Sequence, residues 1–164
     1  MHLTNDSLSV RAAVLTVSDT RTEAEDKSGR IIKTSLQQSR HETAGYAIVR
    51  DEVESIQKYI IQWRDNASID AVIINGGTGF SPRDVTYEAV AGLLHKKMDG
   101  FGELFRMLSY DEIGAKAMFS RAAAGSSDAT AIYALPGSSN AVRLGMEKLI
   151  LPTISHFTEE LKKQ

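Results

Sequence analysis

A glycine-rich loop followed by an aspartate is the part of this sequence whose spacing most suggests chemistry. Gly76, Gly77, Thr78 and Gly79 follow an apolar run, and Asp84 comes five residues after the last glycine. Glycine buries no side chain and loses the most backbone freedom on folding, so glycines at a strand end weaken packing. They also allow backbone N–H groups to approach an anion closely. The pattern predicts a phosphate-bearing ligand, with a divalent metal at the carboxylate.

The spacing leaves a structural alternative open for the loop and for Asp84. No Gly-Lys-Ser/Thr follows the glycines, and the Gly-x-Gly-x-x-Gly spacing is absent, so neither standard nucleotide loop is present. The loop could be only a tight turn between a strand and a helix. Asp84 could stand at the third position of a helix that has Ser81 as its N-cap and Pro82 at its first position.

Asp51 is the second candidate carboxylate, and it has the same structural alternative. It follows a short apolar run and precedes an apolar helical pattern, so it could simply cap that helix, with Glu54 in the capping-box position. Two carboxylates at neighbouring strand ends, beside a glycine loop, could instead hold Mg²⁺ between phosphates.

Further polar residues stand where strands end or where packing gives no reason for them. Each could contact a ligand, although the residues after the first strand could also form a polar turn and those before the last helix a plain capped helix start. These candidates are Ser18 and Asp19 after the first strand, Glu103 beside two glycines, and Pro136, Gly137 and Ser138 before the last helix.

The elements that must position these residues alternate between strands and helices. Apolar periodicity predicts strands over 10–17, 44–49 and 71–74, and helices over 26–39, from 53 and from 85. In the second half it predicts a short helix over 101–108, strands over 118–123 and 129–135 around a turn at 125–128, and a last helix from about 140. This order predicts an α/β fold: a three-layer sandwich with a mostly parallel central sheet, helices on both faces and a small β-hairpin in the second half. In such folds ligands bind at the carboxyl ends of the strands.

The composition of the chain argues against several kinds of site and partner. The chain has 164 residues, no cysteine and a formal net charge of −2. The lack of cysteine excludes disulfides and thiolate metal sites, and the lack of a basic excess argues against nucleic acid as a partner. No apolar run approaches the roughly 20 residues that cross a bilayer, and the polar N-terminus is no signal peptide. We expect a cytoplasmic protein with no membrane partner, a flexible tail over 1–9 and one domain over 10–164.

Taken together, the motifs resemble the molybdenum-cofactor biosynthesis proteins of the MoaB and MogA type, and the related G domain of gephyrin. They occur in family order over about residues 10 to 160, and two of them look more like the MoaB branch. The matching segments are 17–21, 26–29, 51–52, 75–79, 83–86, 100–103, 108–110, 120–121 and 135–138.

The resemblance implies a reaction. In this family the terminal phosphate of molybdopterin attacks the α-phosphate of ATP, with Mg²⁺ required and pyrophosphate leaving. On resemblance, Asp51 and Asp84 hold Mg²⁺ and support catalysis, and the glycine loop binds the nucleotide phosphates. Ser18 and Ser120 contact substrate, and residues 136–138 form a second binding loop. Because the nucleophile is already an anion, such a reaction needs positioning and charge neutralisation rather than a strong base.

Two other functions and several partners remain open from the sequence. The chain could be a molybdopterin-binding scaffold or carrier that lacks catalysis, or a nucleotide-binding module unrelated to pterin. The resemblance also implies a homotrimer or homohexamer and a molybdenum-insertion protein as a possible partner. Leu104, Phe105 and Met107 could form the interface between copies, or could belong to the core.

Overall fold

The computed structural model describes residues 8–163, so the first seven residues of the predicted tail lie outside it. Six strands form one sheet in the order β2-β1-β3-β6-β5-β4. The strands are β1 (Arg11–Val17), β2 (Glu42–Val49), β3 (Ala71–Asn75), β4 (Lys96–Lys97), β5 (Ala123–Ser127) and β6 (Thr130–Leu135). Strands β2, β1, β3 and β6 run parallel, and β5 runs antiparallel to both of its neighbours. The mostly parallel sheet and the hairpin are therefore confirmed.

Helices cover both faces of the sheet. They are α1 (Lys27–Gln38), α2 (Val53–Arg64), α3 (Thr86–Ala91), α4 (Asp99–Ile113), α5 (Ser139–Gly145) and α6 (Leu151–Leu161). A π-helical turn, Met146–Ile150, joins α5 to α6, and 3₁₀ turns cover Glu23–Glu25 and Gly114–Phe119. Among the described helices, none is long and apolar enough to cross a membrane.

Alternating side chains of the central strands divide the core into two. In β3, Ala71 and Ile73 pack on the face covered by α1, α4 and α6, whereas Val72 and Ile74 pack on the face covered by α2 and α3. Successive strand residues point to opposite faces, so a strand buried on both sides reads as a continuous apolar run. This explains why the apolar segments of the sequence locate β1, β3 and β6 well.

The hairpin differs in detail from the prediction. Residues 118–122 are not a strand, because a 3₁₀ turn occupies Gly114–Phe119 and β5 begins only at Ala123. The predicted turn at 125–128 is shorter, since residues 125–127 belong to β5 and Asp128 takes a positive φ of 50°. Gly125 serves strand pairing instead: a Cβ there would stand 2.2 Å from the carbonyl oxygen of Lys96 in β4.

Helix α4 is longer than predicted and separates core from surface residues clearly. Phe105 is 1% exposed and belongs to the core, while Leu104 and Met107 are 47% and 57% exposed. The core alternative is therefore correct for Phe105, and the two neighbours are on the surface.

The order of the strands creates a crevice at the edge of the sheet where the parallel strands end. From β1 the chain passes to β2 on one side, then returns past β1 to β3 on the other side. Such a reversal separates the loops that leave the neighbouring strands and opens a crevice at their carboxyl ends. The loops after β1, β2, β3 and β6 all leave the sheet at this edge.

Candidate functional site

The loops after β3 and β6 enclose a cavity of about 320 Å³ at this edge. Helix α4 and the 3₁₀ turn supply its apolar side through Phe105, Ile113 and Phe119. The predicted site residues that line it are Gly77, Thr78, Gly79, Asp84, Ser120, Pro136, Gly137 and Ser138. The structure thus brings together eight predicted residues from segments that are far apart in the sequence, at 77–84, 120 and 136–138.

The glycine loop has a conformation that requires glycine at two positions. Gly76 and Gly77 have φ values of 99° and 71°. A Cβ on Gly76 would stand 2.3 Å from the carbonyl oxygen of Val17, and one on Gly77 would stand 2.4 Å from Thr86 Oγ1. L-residues with side chains rarely adopt such φ values, and the space for a side chain is also absent. The loop is therefore more than a turn that any small residue could form.

The loop also presents unused hydrogen-bond donors. The N–H of Gly76 donates to the Leu135 carbonyl at 2.9 Å, but the N–H groups of Gly77, Thr78 and Gly79 donate to no residue that the structure describes. Three successive N–H groups without an acceptor, in the wall of a cavity, form an arrangement that suits an anion.

Asp51 lies beside the glycine loop and does not cap helix α2. The N-cap of α2 is Glu52, so the capping alternative for Asp51 is wrong. Its Oδ1 lies 2.9 Å from the place where a Cβ on Gly77 would stand. Burial raises the pKa of the Asp51 carboxyl, and the negative charges of Asp19 and Asp84 raise it further. The Asp51 N–H donates to Asp19 at 3.1 Å, and Asp51 and Asp84 face Gly77 and Gly79 of the same loop, so the three carboxylates lie around one loop.

Asp84 is also not part of a helix N-terminus. Helix α3 begins at Thr86, two residues later, so the predicted helix start at Pro82 is wrong. The Asp84 N–H donates to the Ser81 carbonyl at 2.8 Å, which closes a turn, and the Thr86 N–H donates to the Gly77 carbonyl at 2.9 Å. These two bonds redirect the chain before the helix can begin. The Asp84 carboxylate accepts the Ser81 N–H at 3.1 Å and faces Gly79.

Asp19 and Ser18 are engaged within the protein. Asp19 receives two hydrogen bonds of 2.9 Å from the Arg83 guanidinium and one of 3.1 Å from the Asp51 N–H. The hydrogen bonds from Arg83 are the main reason why the pKa of Asp19 lies below its ordinary value. Ser18 Oγ accepts from the N–H groups of Thr20 and Arg21, which makes a polar turn. Asp19 therefore ties the loops after β1, β2 and β3 together.

The loop at residues 136–138 is held by hydrogen bonds from Ser28 of α1 and from Arg21. The carbonyl of Gly137 accepts hydrogen bonds from Ser28 Oγ at 2.6 Å and from Arg21 Nη2 at 3.3 Å. A Cβ on Gly137 would stand 3.1 Å from Gly76 Cα, so the two glycine loops touch. Ser138 caps α5 through a bond from the Ala141 N–H at 3.2 Å, which confirms the capped helix start.

Asp26 is a buried carboxylate that the sequence analysis did not single out as a site residue. It has no exposed surface and accepts hydrogen bonds from Thr16 Oγ1 at 2.6 Å, the Gly29 N–H at 3.0 Å and the Tyr46 hydroxyl at 2.5 Å. It is the N-cap of α1, the helix that carries Ser28. Its position before a helical pattern indicated only a helix start, and the pairing with Tyr46 has no local signal.

Arg121 is a second residue that sequence reasoning missed. Its guanidinium donates to the Gly79 carbonyl at 2.8 and 3.1 Å, to the Asp84 carbonyl at 3.2 Å and to the Glu88 carboxylate. Its backbone N–H donates to the Thr78 carbonyl at 3.1 Å. Arg121 thus holds both ends of the segment from the glycine loop to Asp84. The resemblance included this residue in a matching segment but attached a role only to Ser120.

Glu103 lies apart from the other candidates. It is exposed on α4 and is not among the residues that line the cavity. Ser120 does line the cavity, and its hydroxyl accepts a long hydrogen bond of 3.4 Å from the Ala122 N–H.

The oxygen ligands available at this site determine which metal ion could bind there. Within residues 8–163, no group of three or more acidic or histidine side chains could hold a metal ion by itself. Asp51 and Asp84 offer two carboxylates beside free backbone N–H groups. Mg²⁺ is commonly held by one or two carboxylates together with substrate phosphates, so this set fits Mg²⁺ brought with a phosphate ligand.

Comparison with known proteins shows which family and which solved structures this chain resembles. A model described as a probable molybdopterin binding domain matches residues 13–156. The molybdenum cofactor biosynthesis protein B of Bacillus anthracis is 50% identical over 156 residues, with 94% of this chain and 92% of the relative covered. A crystal structure of a molybdenum cofactor biosynthesis protein B superposes with a TM-score of 0.93 at 49% identity, covering 96% of this chain and 98% of the other. The tungsten cofactor synthesizing protein MoaB from Pyrococcus furiosus superposes with a TM-score of 0.84 at 32% identity, covering 94% and 98%.

Proposed function

Because this chain belongs to the MoaB/MogA family of molybdenum cofactor biosynthesis proteins, we propose that it transfers the adenylyl group of ATP to molybdopterin. The products would be adenylyl-molybdopterin and pyrophosphate. The single observation that carries the proposal is the placing of two carboxylates, Asp51 and Asp84, against Gly77 and Gly79 of a loop with unused N–H groups. This arrangement supports binding of phosphates and of a divalent cation at one point.

The reaction exchanges one phosphoanhydride bond for another. An oxygen of the terminal phosphate of molybdopterin forms a bond to the α-phosphorus of ATP, and the bond from that phosphorus to the bridging oxygen of the β-phosphate breaks. The electron pair of the broken bond leaves with pyrophosphate. The attacking oxygen carries no proton at neutral pH, so no side chain has to act as a general base. Catalysis then depends on in-line positioning and on neutralising charge.

Residues of the two loops would do the positioning. The N–H groups of residues 77–79 would bind phosphate oxygens. The loop at Gly137 and Ser138 would lie on the opposite side of the same phosphates. Asp51 and Asp84 would hold Mg²⁺, which when bound supplies positive charge to the phosphates. Asp19 would act through its bond to the Asp51 N–H rather than by touching substrate. Ser18 remains a candidate for substrate contact, as does Ser120 in the cavity wall.

The assembly of copies is part of the proposal. Seven exposed apolar side chains, of which Phe80 and Met118 are 69% and 70% exposed, lie on or next to α4 and the following 3₁₀ turn. They are Phe80, Leu104, Met107, Tyr110, Ile113, Met118 and Phe119. Apolar surface of this kind marks interfaces. We expect a homotrimer or homohexamer that uses this surface, and a molybdenum-insertion protein as the acceptor of the product.

The test is turnover of purified molybdopterin with ATP and Mg²⁺, measured as pyrophosphate release. We expect turnover by the parent chain and none by Asp84→Asn, with Asp65→Asn as a matched change at an exposed aspartate outside the site. Tight molybdopterin binding without turnover in the parent would reject the transferase and leave a scaffold of the same pathway. ATP binding with no affinity for molybdopterin would reject both.

A further inference from the structure

The buried carboxylate of Asp26 accepts hydrogen bonds from β1, from β2 and from α1. Its Oδ2 accepts from Thr16 Oγ1 of β1 at 2.6 Å and from the Tyr46 hydroxyl of β2 at 2.5 Å. Its Oδ1 accepts the Gly29 N–H of α1 at 3.0 Å and lies 3.9 Å from Arg21 Nη1. A carboxylate is costly to take out of water unless donors satisfy its oxygens, and both oxygens of Asp26 are satisfied. None of the steps proposed above uses this residue.

One branch of the network leads from Asp26 to the glycine loop. Thr16 gives its hydroxyl proton to Asp26, so Thr16 Oγ1 can only accept from its other neighbour, the side-chain amide of Asn75, at 3.0 Å. Asn75 directly precedes Gly76, and its amide oxygen has no hydrogen-bond partner in the described part of the chain. Reversing the amide would turn that oxygen towards a hydroxyl that has no proton left to give. Asp26 therefore fixes, through Thr16, the side chain at which the glycine loop begins.

The other branch leads from Asp26 to Gly137. The Gly137 carbonyl accepts hydrogen bonds from Ser28 Oγ at 2.6 Å and from Arg21 Nη2 at 3.3 Å. Ser28 stands in the first turn of α1, which Asp26 caps, and Arg21 faces the Asp26 carboxylate. Both donors to Gly137 are thus placed by contacts with the same carboxylate.

The two branches meet where the loops touch. A Cβ on Gly137 would stand 3.1 Å from Gly76 Cα, and the Gly76 N–H donates to the Leu135 carbonyl at 2.9 Å. Loops in such close contact cannot move independently, so a group that is connected to both of them sets their relative position.

We propose that Asp26 is a positioning residue, which sets the glycine loop and the loop at residues 136–138 against each other without touching substrate. Capping α1 requires only the oxygen that accepts the Gly29 N–H. The second oxygen, with its two hydroxyl donors, holds β1 and β2 to the same point. The effect of this role on catalysis rests on the proposed function, in which the two loops bind phosphates. In-line attack tolerates little displacement, so a shift of the loops should slow the chemical step more than it weakens binding.

Asp26→Asn separates capping from positioning. Asparagine is as good an N-cap as aspartate, so its amide oxygen can keep the bond from the Gly29 N–H. Its amide nitrogen then faces the hydroxyls of Thr16 and Tyr46 and cannot accept their hydrogen bonds. A residue that only caps α1 would tolerate this change.

Asp70→Asn is the matched control. Asp70 is 4% exposed and pairs with Arg11 and Lys162, so it is also a buried carboxylate with several donors. It directly precedes β3, whereas the two loops leave the sheet at the other end of that strand. Its replacement should lower global stability without moving the loops.

The first readout is amide hydrogen exchange in the full chain, which needs no turnover. The Gly76 N–H donates to the Leu135 carbonyl and the Val142 N–H donates to the Ser138 carbonyl, so these two amides report on the two loops. Their exchange is measured relative to the Ile73 amide in the middle of β3. We expect both to become at least about tenfold faster in Asp26→Asn on this relative scale, and Asp70→Asn to keep the parent ratios.

The second readout is the division between kcat and KM in the pyrophosphate assay. We expect kcat of Asp26→Asn to fall at least about tenfold while KM for molybdopterin changes less than about threefold, with both parameters kept in Asp70→Asn. A parent chain without turnover would reject the transferase, and exchange alone would then decide the role of Asp26. Turnover in the parent together with parent-like kcat and exchange in Asp26→Asn would overturn the positioning role and leave the transferase intact.

Three patterns of exchange would overturn the proposal. Parent-like ratios in Asp26→Asn would reduce Asp26 to a helix cap. A faster ratio for Val142 alone would show that the branch through Thr16 does not reach the glycine loop. Equal changes in Asp26→Asn and Asp70→Asn would assign the effect to general stability.

Two milder variants decide the matter if Asp26→Asn does not fold. Tyr46→Phe keeps the ring and removes only the hydroxyl that donates to Asp26, so exchange should become faster at both Gly76 and Val142. Ser28→Ala removes one donor to the loop at residues 136–138, so exchange should change mainly at Val142. Parent-like ratios in both variants would contradict the proposal.

Discussion

Replacing Arg121 with methionine should loosen the segment from Gly79 to Glu88 without unfolding the sheet. The Gly79 carbonyl accepts hydrogen bonds from the guanidinium at 2.8 and 3.1 Å and the Asp84 carbonyl accepts one at 3.2 Å, and neither carbonyl accepts any other bond within the described residues. Each of the two carbonyls that is satisfied in this way contributes about 1 kcal/mol net. The pair with Glu88, whose side chain is 51% exposed, contributes less than about 1 kcal/mol. We therefore expect Arg121→Met to cost this segment about 2 kcal/mol.

The assay is amide hydrogen exchange, because three N–H groups of this segment report on its closure. They are the N–H groups of Ser81, Asp84 and Thr86, which donate to Asp84, Ser81 and Gly77 respectively. A loss of about 2 kcal/mol corresponds to exchange about 30-fold faster for these amides. Amides in the middle of β3 should exchange at the parent rate, since the sheet is unchanged.

Glu88→Gln is the matched control for the arginine. It weakens the exposed pair but leaves the bonds to the two carbonyls, so exchange of these amides should become faster by about fivefold or less. Two results would refute the reasoning. One is parent-like exchange in Arg121→Met, and the other is an equal effect of Glu88→Gln, which would place the stabilisation in the ion pair.

For three further substitutions we expect a stated direction of change in stability or in assembly. Asp51→Asn should raise the free energy of unfolding in urea at neutral pH while abolishing pyrophosphate release, because partial burial raises the folded-state pKa of this half-buried carboxyl and its charged form is therefore destabilising. Asp70→Asn should lower the free energy of unfolding by about 1 to 2 kcal/mol at pH 7. Asp70 has a pKa lowered to about 2, so its stabilisation is complete above about pH 4 and the difference from the parent should narrow as pH falls further. Met107→Glu should shift sedimentation towards the monomer, with an unchanged distribution rejecting α4 as the interface.

The sequence predicts the sheet well where one signal dominates. The inner parallel strands β1, β3 and β6 are buried on both sides, so continuous apolar runs locate them. The same signal fails for β5, which contains Gly125 and two serines and reads as a turn. Gly125 is needed in β5 because β4 passes close to it, and no local sequence pattern indicates that contact.

The candidate site was predictable in its members but not in its contacts. Gly77 is predicted because glycines at a strand end weaken packing, whereas Asp84 and Gly137 have structural alternatives and are predicted with the help of the family resemblance. The roles of Asp19 and Arg121 are not predicted, because both depend on partners more than 30 residues away in the chain. A carboxylate that binds an arginine and one that faces a glycine loop have the same appearance in a sequence. Only the positions of the neighbouring loops distinguish them.

For the proposed function, we expect from the charges at the glycine loop that the cation and the anion bind together. Asp19 is neutralised by Arg83, but Asp51 and Asp84 have no basic partner within hydrogen-bonding distance in the described structure. The free N–H groups of the loop attract phosphates, whereas the two carboxylates beside them repel phosphates. An anion alone would therefore gain hydrogen bonds but lose through repulsion, and a cation alone would find only two protein ligands. Each ion removes the obstacle to the other, so a complex of divalent cation and polyphosphate is the ligand that this arrangement favours.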